Sequence, residues 1–173
     1  MLRAVIIFAV AIFFLHAPPA VAQWSKYQFS LKTSEGVVVT NDDYRNRLIF
    51  MEVWATWCAP CIANFPILQK LYDEFSKNSN VAVLTVHYGS EYGNYRSAAG
   101  FKKETGFSFP IIQDANGILS KKLNRLPFFV SLPKYILFDR DGRIIRRYGE
   151  LNADTVADIR GHFINTKNAI PHK

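Results

Sequence analysis

The sequence predicts an α/β sandwich in which helices flank a central mixed β-sheet. Short apolar runs alternate with segments of helical periodicity along most of the 173-residue chain. This alternation favours parallel strands, because a parallel connection crosses the sheet through a helix. A hairpin and a last helix near the C-terminal end add antiparallel strands to the same sheet. We find no repeat or second set of elements, so we expect a single domain over residues 23–173.

The first 22 residues have the features of a secretory signal peptide. Arg3 gives a positive start, residues 4–15 are uncharged and apolar, and residues 20–22 (Ala-Val-Ala) are typical of a signal-peptidase site. We therefore expect cleavage before Gln23 and a mature domain in the periplasm. The apolar stretch is shorter than the about 20 residues of a membrane span, and an uncleaved anchor is the second interpretation.

Seven segments have the composition or the period-two alternation of β-strands. They are residues 24–31, 37–40, 48–55, 81–86, 109–112, 135–138 and 143–148. Residues 48–55 are apolar on both faces apart from Glu52, which is typical of a central strand covered on both sides. The last two segments flank Asp141-Gly142, which favours a β-hairpin.

Five segments have helical periodicity or capping residues. They are residues 41–47 after an Asn41 cap, about 58–77, 92–105, 114–123 after an Asp114 cap, and a last helix after Asn152. Pro66 lies inside the second helix, where it removes a backbone hydrogen bond and should cause a kink.

Both cysteines, Cys58 and Cys61, lie where the predicted central strand gives way to the long helix. A Cys-x-x-Cys at such a junction suits the reversible making and breaking of a disulfide. Unpaired backbone N–H groups and the positive end of the helix dipole would stabilise a thiolate on Cys58, the attacking species. Cys61, one turn further along, is close enough to resolve a mixed disulfide. Pro60 is tolerated because the first turn needs no N–H donor there.

Two other uses of the cysteine pair are less well supported. A purely structural disulfide would close a loop too short to restrain the unfolded chain. Exported proteins that are stabilised by disulfides usually carry several cysteines far apart in the sequence. The thiolates could instead bind Cu(I) or Zn(II), since soft sulfur ligands suit these ions. The four histidines show no metal-ligand spacing, so we predict no metal site.

The formal net charge of +7 indicates little about function. The basic residues are scattered apart from three pairs, Lys102-Lys103, Lys121-Lys122 and Arg146-Arg147, which solvated faces explain. Because export makes nucleic acid an improbable partner, we predict no nucleic-acid binding and at most a bias towards acidic partners.

Several motifs together resemble the thioredoxin superfamily, and within it the exported thiol–disulfide oxidoreductases of the TlpA, ResA and DsbE type. Residues 53–61 (Val-Trp-Ala-Thr-Trp-Cys-Ala-Pro-Cys) resemble the active-site motif, and Pro66 matches the proline that kinks the active-site helix. Residues 133–144 resemble the cis-proline strand and its hairpin. The resemblance covers about residue 48 to the last helix and implies a thioredoxin-like three-layer sandwich.

The resemblance also implies a substrate-binding surface. Pro133 would follow a cis peptide bond and face the cysteines, while the backbone of Leu132 would pair with a substrate chain as an added strand. Pro127 is the rival candidate for the cis-proline. The expected substrate-binding residues are Trp57, Ala59, Pro60, Leu132 and Pro133.

Glu52 is the only charged residue in the predicted central strand. Thioredoxin carries a buried acid at the corresponding place beneath its second cysteine, so the resemblance implies that Glu52 exchanges a proton with Cys61. Burial would raise its pKa and allow this exchange near neutral pH. The alternative is a strand residue that reaches solvent or pairs with a lysine.

The sequence departs from the family pattern at three places. Asn64 stands where the ResA group often has an acid, and Lys134 stands where a threonine commonly follows the cis-proline. Residues 124–132 form a longer approach to that proline and are either a partner-recognition segment or a hydrophobic flap. These departures weaken apocytochrome c as the expected substrate.

These features predict an exported enzyme that exchanges disulfides with disulfide- or dithiol-containing exported proteins. The resemblance favours reduction, which would need a membrane-embedded electron donor because a bacterial periplasm is kept oxidising. No dissociable cofactor is required, and a monomer is favoured. The alternatives are a copper- or zinc-handling protein and a non-catalytic partner-binding domain that keeps the pair.

Overall fold

A seven-stranded β-sheet forms the centre of the computed structural model, which describes residues 26–89, 97–124 and 130–167. The strands are β1 (Ser30–Thr33), β2 (Val38–Thr40), β3 (Leu48–Trp54), β4 (Val81–Tyr88), β5 (Ile111–Asp114), β6 (Lys134–Phe138) and β7 (Ile144–Tyr148). The helices are a 3-10 helix (Asn41–Tyr44), α1 (Ala59–Phe75), α2 (Ala98–Thr105), α3 (Ile118–Leu123) and α4 (Ala153–Lys167).

The sheet is mixed, as predicted, in the order β2-β1-β5-β4-β3-β6-β7. Strands β3, β4 and β5 are parallel neighbours at its centre, and the other strands pair antiparallel. Because β6 runs antiparallel to β3, its first residue, Lys134, lies opposite Val53 near the end of β3. The start of β6 therefore lies at the same edge of the sheet as the start of α1.

Two apolar layers cover the sheet, which confirms the predicted three-layer sandwich. Successive side chains of β3 point to opposite faces. Phe50 and Trp54 pack with residues of α1, α2 and α4, whereas Met51 and Val53 pack with residues of α3 and the segment before β1. Glu52 lies between Phe50 and Trp54 along β3, so it points to the α1 side of the sheet.

The helix predicted from Asp114 begins later, at Ile118. Asp114 is the last residue of β5, and its buried carboxylate accepts hydrogen bonds from the backbone N–H groups of Leu119 (3.3 Å) and Ser120 (2.6 Å). Asp114 therefore caps α3 across the intervening turn, so the prediction of a cap was confirmed and the predicted start was wrong.

The helix predicted over residues 41–47 is only a 3-10 helix, and Asn41 is its first residue rather than its cap. Thr40 occupies the cap position, where its backbone N–H donates to the Asp43 carboxylate (2.7 Å). The Asn41 side chain instead accepts a hydrogen bond from the backbone N–H of Phe29 (3.4 Å). The Asn41 side chain is therefore used to hold the segment before β1, and it is not available to cap the helix.

The remaining predicted elements are present with shifted ends. The first strand begins at Ser30, not at residue 24, because residues 26 and 27 form a 3-10 turn, and β5 begins two residues later than predicted. Helix α2 begins after its Ser97 cap, and residues 92–96 of the predicted helix lie outside the described residues. Asn152 caps α4 by accepting a hydrogen bond from the N–H of Thr155 (2.9 Å), as predicted.

Within the described ranges, no helix combines the length and apolar character that crossing a bilayer requires. The predicted signal peptide, residues 1–22, and the predicted tail, residues 170–173, lie outside those ranges.

Candidate functional site

Cys58 and Cys61 form a disulfide at the start of α1, with their Cα atoms 5.3 Å apart. Cys58 is the N-cap residue, and its carbonyl oxygen accepts the first helical hydrogen bonds from the N–H groups of Cys61 (3.1 Å) and Ile62 (3.2 Å). A sulfur at this position lies beside the N–H groups that lack a helical partner and beside the positive end of the helix dipole. Both effects stabilise a thiolate on Cys58 when the disulfide is reduced.

The two sulfurs differ in access. Cys58 is 4% exposed, whereas Cys61 is 0% exposed. Both cysteines are buried in the disulfide form, but Cys58 keeps slight exposure and Cys61 keeps none, which favours Cys58 as the attacking residue and Cys61 as the resolving one.

The surface around the pair is apolar and open to solvent. Trp57 is 45% exposed, and Ala59 and Pro60 are also exposed. A large exposed aromatic side chain beside a reactive group is typical of a contact surface for a partner.

The peptide bond between Leu132 and Pro133 is cis, as the resemblance implied. This bond immediately precedes β6. Because Lys134 pairs with Val53 near the end of β3, the cis bond lies at the same edge of the sheet as Cys58, which follows β3 in the chain. Leu132 packs against the apolar cluster that contains both cysteines. The rival proline, Pro127, lies outside the described residues, as does most of the 124–132 segment, whose two interpretations stay predictions.

Glu52 is fully buried on the α1 side of β3. Neither carboxylate oxygen has a hydrogen-bond partner among the residues that the structure describes. Burial raises the pKa of Glu52 well above its ordinary value of 4.5, because the charged form loses its hydration. The alternative in which Glu52 reaches solvent or pairs with a lysine is therefore wrong.

Tyr135 is a buried polar residue of this site that the sequence did not single out. It lies opposite Glu52 in the pairing of β3 with β6, and its ring stacks on that of Phe50. Its hydroxyl oxygen accepts a hydrogen bond from the side-chain amide of Asn64 on α1 (2.8 Å). Burial, and next the charge of Glu52, raise the pKa of Tyr135, so the phenol stays protonated. Period-two alternation alone predicts an ordinary core aromatic at this position.

His87 lies at the end of β4, opposite Trp54 in the parallel pairing. Its ring contacts the Trp54 indole with centroids 4.9 Å apart. Burial lowers the pKa of His87 to about 4, so the imidazole is neutral at neutral pH. In the described part of the chain, no group of three or more His, Cys, Asp or Glu side chains is arranged to hold a metal ion.

The site thus combines a disulfide, a helix N-terminus that stabilises a thiolate on Cys58 and a buried carboxyl with a raised pKa. The nucleophile, the resolving thiol and a proton acceptor of thiol–disulfide exchange can all be drawn from these groups.

Comparison with known proteins relates this arrangement to redox proteins. A family model described as Redoxin matches residues 19–161. The thioredoxin-like protein YneN of Bacillus subtilis is 32% identical over 90 residues, which are 52% of this chain and 52% of that protein. The thiol-disulfide oxidoreductase ResA of Bacillus thuringiensis is 26% identical over 118 residues, which are 68% of this chain and 64% of that protein.

A solved structure, that of StoA from Bacillus subtilis, superposes with a TM-score of 0.63 and 26% identity. The match covers 81% of this chain and 98% of that one, and it identifies the sandwich as thioredoxin-like. The chain spans between 52% and 64% of the length of the two curated relatives given above.

Proposed function

Because the chain belongs to the Redoxin family, we propose that it exchanges disulfides with protein substrates through Cys58 and Cys61. Its resemblance to the TlpA, ResA and DsbE type of the thioredoxin superfamily is confirmed by its relatives and its fold. The observation that carries the proposal is the disulfide at the N-terminus of α1, in which Cys58 is the more exposed of the two cysteines.

The exchange begins with the dithiol form of the protein. The thiolate of Cys58, stabilised by the helix N-terminus, attacks one sulfur of a substrate disulfide. A bond forms between the Cys58 sulfur and that sulfur, the substrate disulfide breaks, and one substrate thiolate leaves. The product is a mixed disulfide between protein and substrate.

Resolution then requires a thiolate on the buried Cys61. Glu52, whose pKa burial raises well above its ordinary value, accepts the proton of the Cys61 thiol. The Cys61 thiolate attacks the Cys58 sulfur, the mixed disulfide breaks, and the second substrate thiolate leaves and takes up a proton. Two electrons have passed to the substrate, and Cys58–Cys61 is oxidised.

The substrate chain lies on the surface formed by Trp57, Ala59 and Pro60 on one side and by Leu132 and Pro133 on the other. The exposed Trp57 supplies apolar contact area. The backbone of Leu132 pairs with the substrate as an added strand, which positions its sulfur without requiring a particular side-chain sequence.

We place the enzyme in the periplasm as a reductase of exported proteins. Export is supported by the signal-peptide pattern of residues 1–22, and the reducing direction is favoured by the resemblance to the TlpA, ResA and DsbE type. A membrane-embedded donor would return electrons to Cys58–Cys61, since the compartment is oxidising. Acid-quenched thiol trapping in cells tests the direction: a mainly dithiol pair supports reduction, and a mainly disulfide pair contradicts it.

Reduction of insulin disulfides by the reduced protein tests the exchange itself. We expect the wild type to reduce insulin and Cys58→Ser to lose this activity. Cys61→Ser should form the mixed disulfide and then accumulate it, because the resolving thiol is absent. Insulin reduction by Cys58→Ser at the wild-type rate would overturn the proposal.

A further inference from the structure

Tyr135 connects the buried carboxyl of Glu52 with the helix that carries the cysteines. The two residues are directly opposite in the antiparallel pairing of β3 and β6, so their side chains leave the same face of the sheet as neighbours. The Tyr135 hydroxyl reaches α1, where the side-chain amide of Asn64 donates to it (2.8 Å). Asn64 is one turn beyond Cys61 on α1.

The hydrogen-bonding capacity of this phenol is only half used. A tyrosine hydroxyl accepts hydrogen bonds and also donates one hydrogen, whose direction rotates to suit the surroundings. The amide of Asn64 uses the acceptor side of Tyr135. The hydroxyl hydrogen therefore remains available to a carboxylate on the same face.

The other polar groups around Glu52 are less suited to donate to it. The hydroxyl of Thr85, opposite Glu52 on β4, donates to the carbonyl oxygen of Pro110 (3.0 Å). The Trp54 indole is packed against the rings of Phe65, His87 and Phe101, which fixes the direction of its N–H. Of the two described residues that lie opposite Glu52 on the neighbouring strands, Tyr135 is the one whose hydroxyl hydrogen is not already donated to another group.

A donor is needed because Glu52 must become charged to act as a base. Its carboxylate oxygens have no hydrogen-bond partner within the described ranges, and a buried carboxylate without a donor is costly. A hydrogen bond to the charged form favours ionisation.

We propose that Tyr135 is a positioning residue of the exchange: held by Asn64, its hydroxyl donates a hydrogen bond to the carboxylate that forms when Glu52 takes up its role as base. The proposal rests on the proposed function, because only resolution by Cys61 requires that base. It also assigns a task to Asn64, which orients the phenol oxygen and leaves the phenol hydrogen for Glu52.

The other titratable groups on this side of the sheet do not provide the same stabilisation. Among the described residues they include Cys58, Cys61 and Tyr72 on α1, His87 on β4, Tyr148 on β7 and Asp158 on α4. The cysteines are joined in the disulfide, and the low pKa of His87 keeps it neutral. The Tyr148 hydroxyl donates to Asp158 (2.7 Å) and is thereby occupied.

The direct test is the pKa of Glu52 in the oxidised protein, followed by its side-chain ¹³C carboxyl resonance against pH and assigned with Glu52→Gln. Tyr135→Phe keeps the ring and its stacking on Phe50 but removes the donor. We expect the pKa of Glu52 to rise by about one unit, because the charged form loses a hydrogen-bond donor. Tyr148→Phe is the matched control and should leave that pKa unchanged.

For a second substitution we expect the pKa of Glu52 to shift in the opposite direction. With 3-fluorotyrosine at position 135 the phenol is a stronger donor, so the pKa of Glu52 should fall below its wild-type value. This variant keeps the size and contacts of the ring nearly unchanged. An unchanged pKa of Glu52 in both variants at position 135 would overturn the proposal, as would an equal rise in Tyr148→Phe.

Kinetics distinguish positioning from a merely structural role. The pH at which the mixed disulfide resolves at half its maximal rate should rise in Tyr135→Phe with the pKa of Glu52. In the Glu52→Gln background, Tyr135→Phe should cause no such shift, and a shift there would contradict the proposal. The NMR titration needs no redox activity, so a failure of insulin reduction in the wild type would reject the proposed function separately.

Discussion

Glu52 in the middle of β3 and Asp114 at the end of β5 are both buried carboxyl groups, but their surroundings differ. Asp114 accepts two hydrogen bonds from the backbone at the start of α3. Glu52 accepts none from the residues that the structure describes. Burial is therefore common to a structural acid and a candidate base, and the supply of hydrogen-bond donors distinguishes them.

The difference has an energetic consequence for Glu52. The folded protein binds the Glu52 proton more tightly than the unfolded chain, because burial raises the pKa above 4.5. The resulting stabilisation is fully present below pH 4.5 and is lost as the pH rises through the raised pKa. A carboxyl that served stability alone would be better placed with donors, as Asp114 is.

The largest expected difference between the two acids is in the rate at which the mixed disulfide resolves. Glu52→Gln keeps the size of the side chain but removes the base, so resolution of the mixed disulfide at pH 7 should slow by roughly a hundredfold. Stopped-flow measurement of the release of reduced substrate checks this. Glu104→Gln, at an exposed position of α2, is a matched control and should react like the wild type. A wild-type rate in Glu52→Gln would remove Glu52 from the mechanism.

A smaller effect is expected at the other carboxyl, and on stability rather than on rate. Asp114→Ala leaves two backbone N–H groups at the start of α3 without their acceptor. The free energy of unfolding should fall by about 2 kcal/mol. Urea denaturation of the oxidised protein measures this value, and the rate of mixed-disulfide resolution serves as the control. Unchanged stability combined with slower resolution would reverse the roles assigned to the two acids.

The parts of the site that were predicted from the sequence depend on local pattern. The cysteine pair at a strand-to-helix junction and the single acid in an apolar strand are features of short segments, and both lie where they were expected. The resemblance added the cis bond before Pro133, which no local pattern distinguishes from a trans bond. These features specified the centre of the site.

The missed parts depend on contacts between distant segments. Asn64 and Tyr135 are 71 residues apart, and their hydrogen bond follows from the register of β6 against β3 and the placement of α1 above both. Alternation of apolar residues predicts that Tyr135 is buried but not which strand residue it faces. The cap at Asp114 was predicted, but the start of α3 was placed too early, because the pairing of Asp114 with β4 is not visible in its local capping preference.

The reactivity of Cys58 tests the central claim most directly, because the exchange requires a thiolate on the accessible sulfur. We would reduce the protein, alkylate it with iodoacetamide between about pH 4 and pH 10, and identify each modified cysteine by mass spectrometry. The account predicts that Cys58 reacts first, with a midpoint well below the pKa of about 8.5 of a free cysteine. A midpoint at that ordinary value, or earlier alkylation of Cys61, would contradict it.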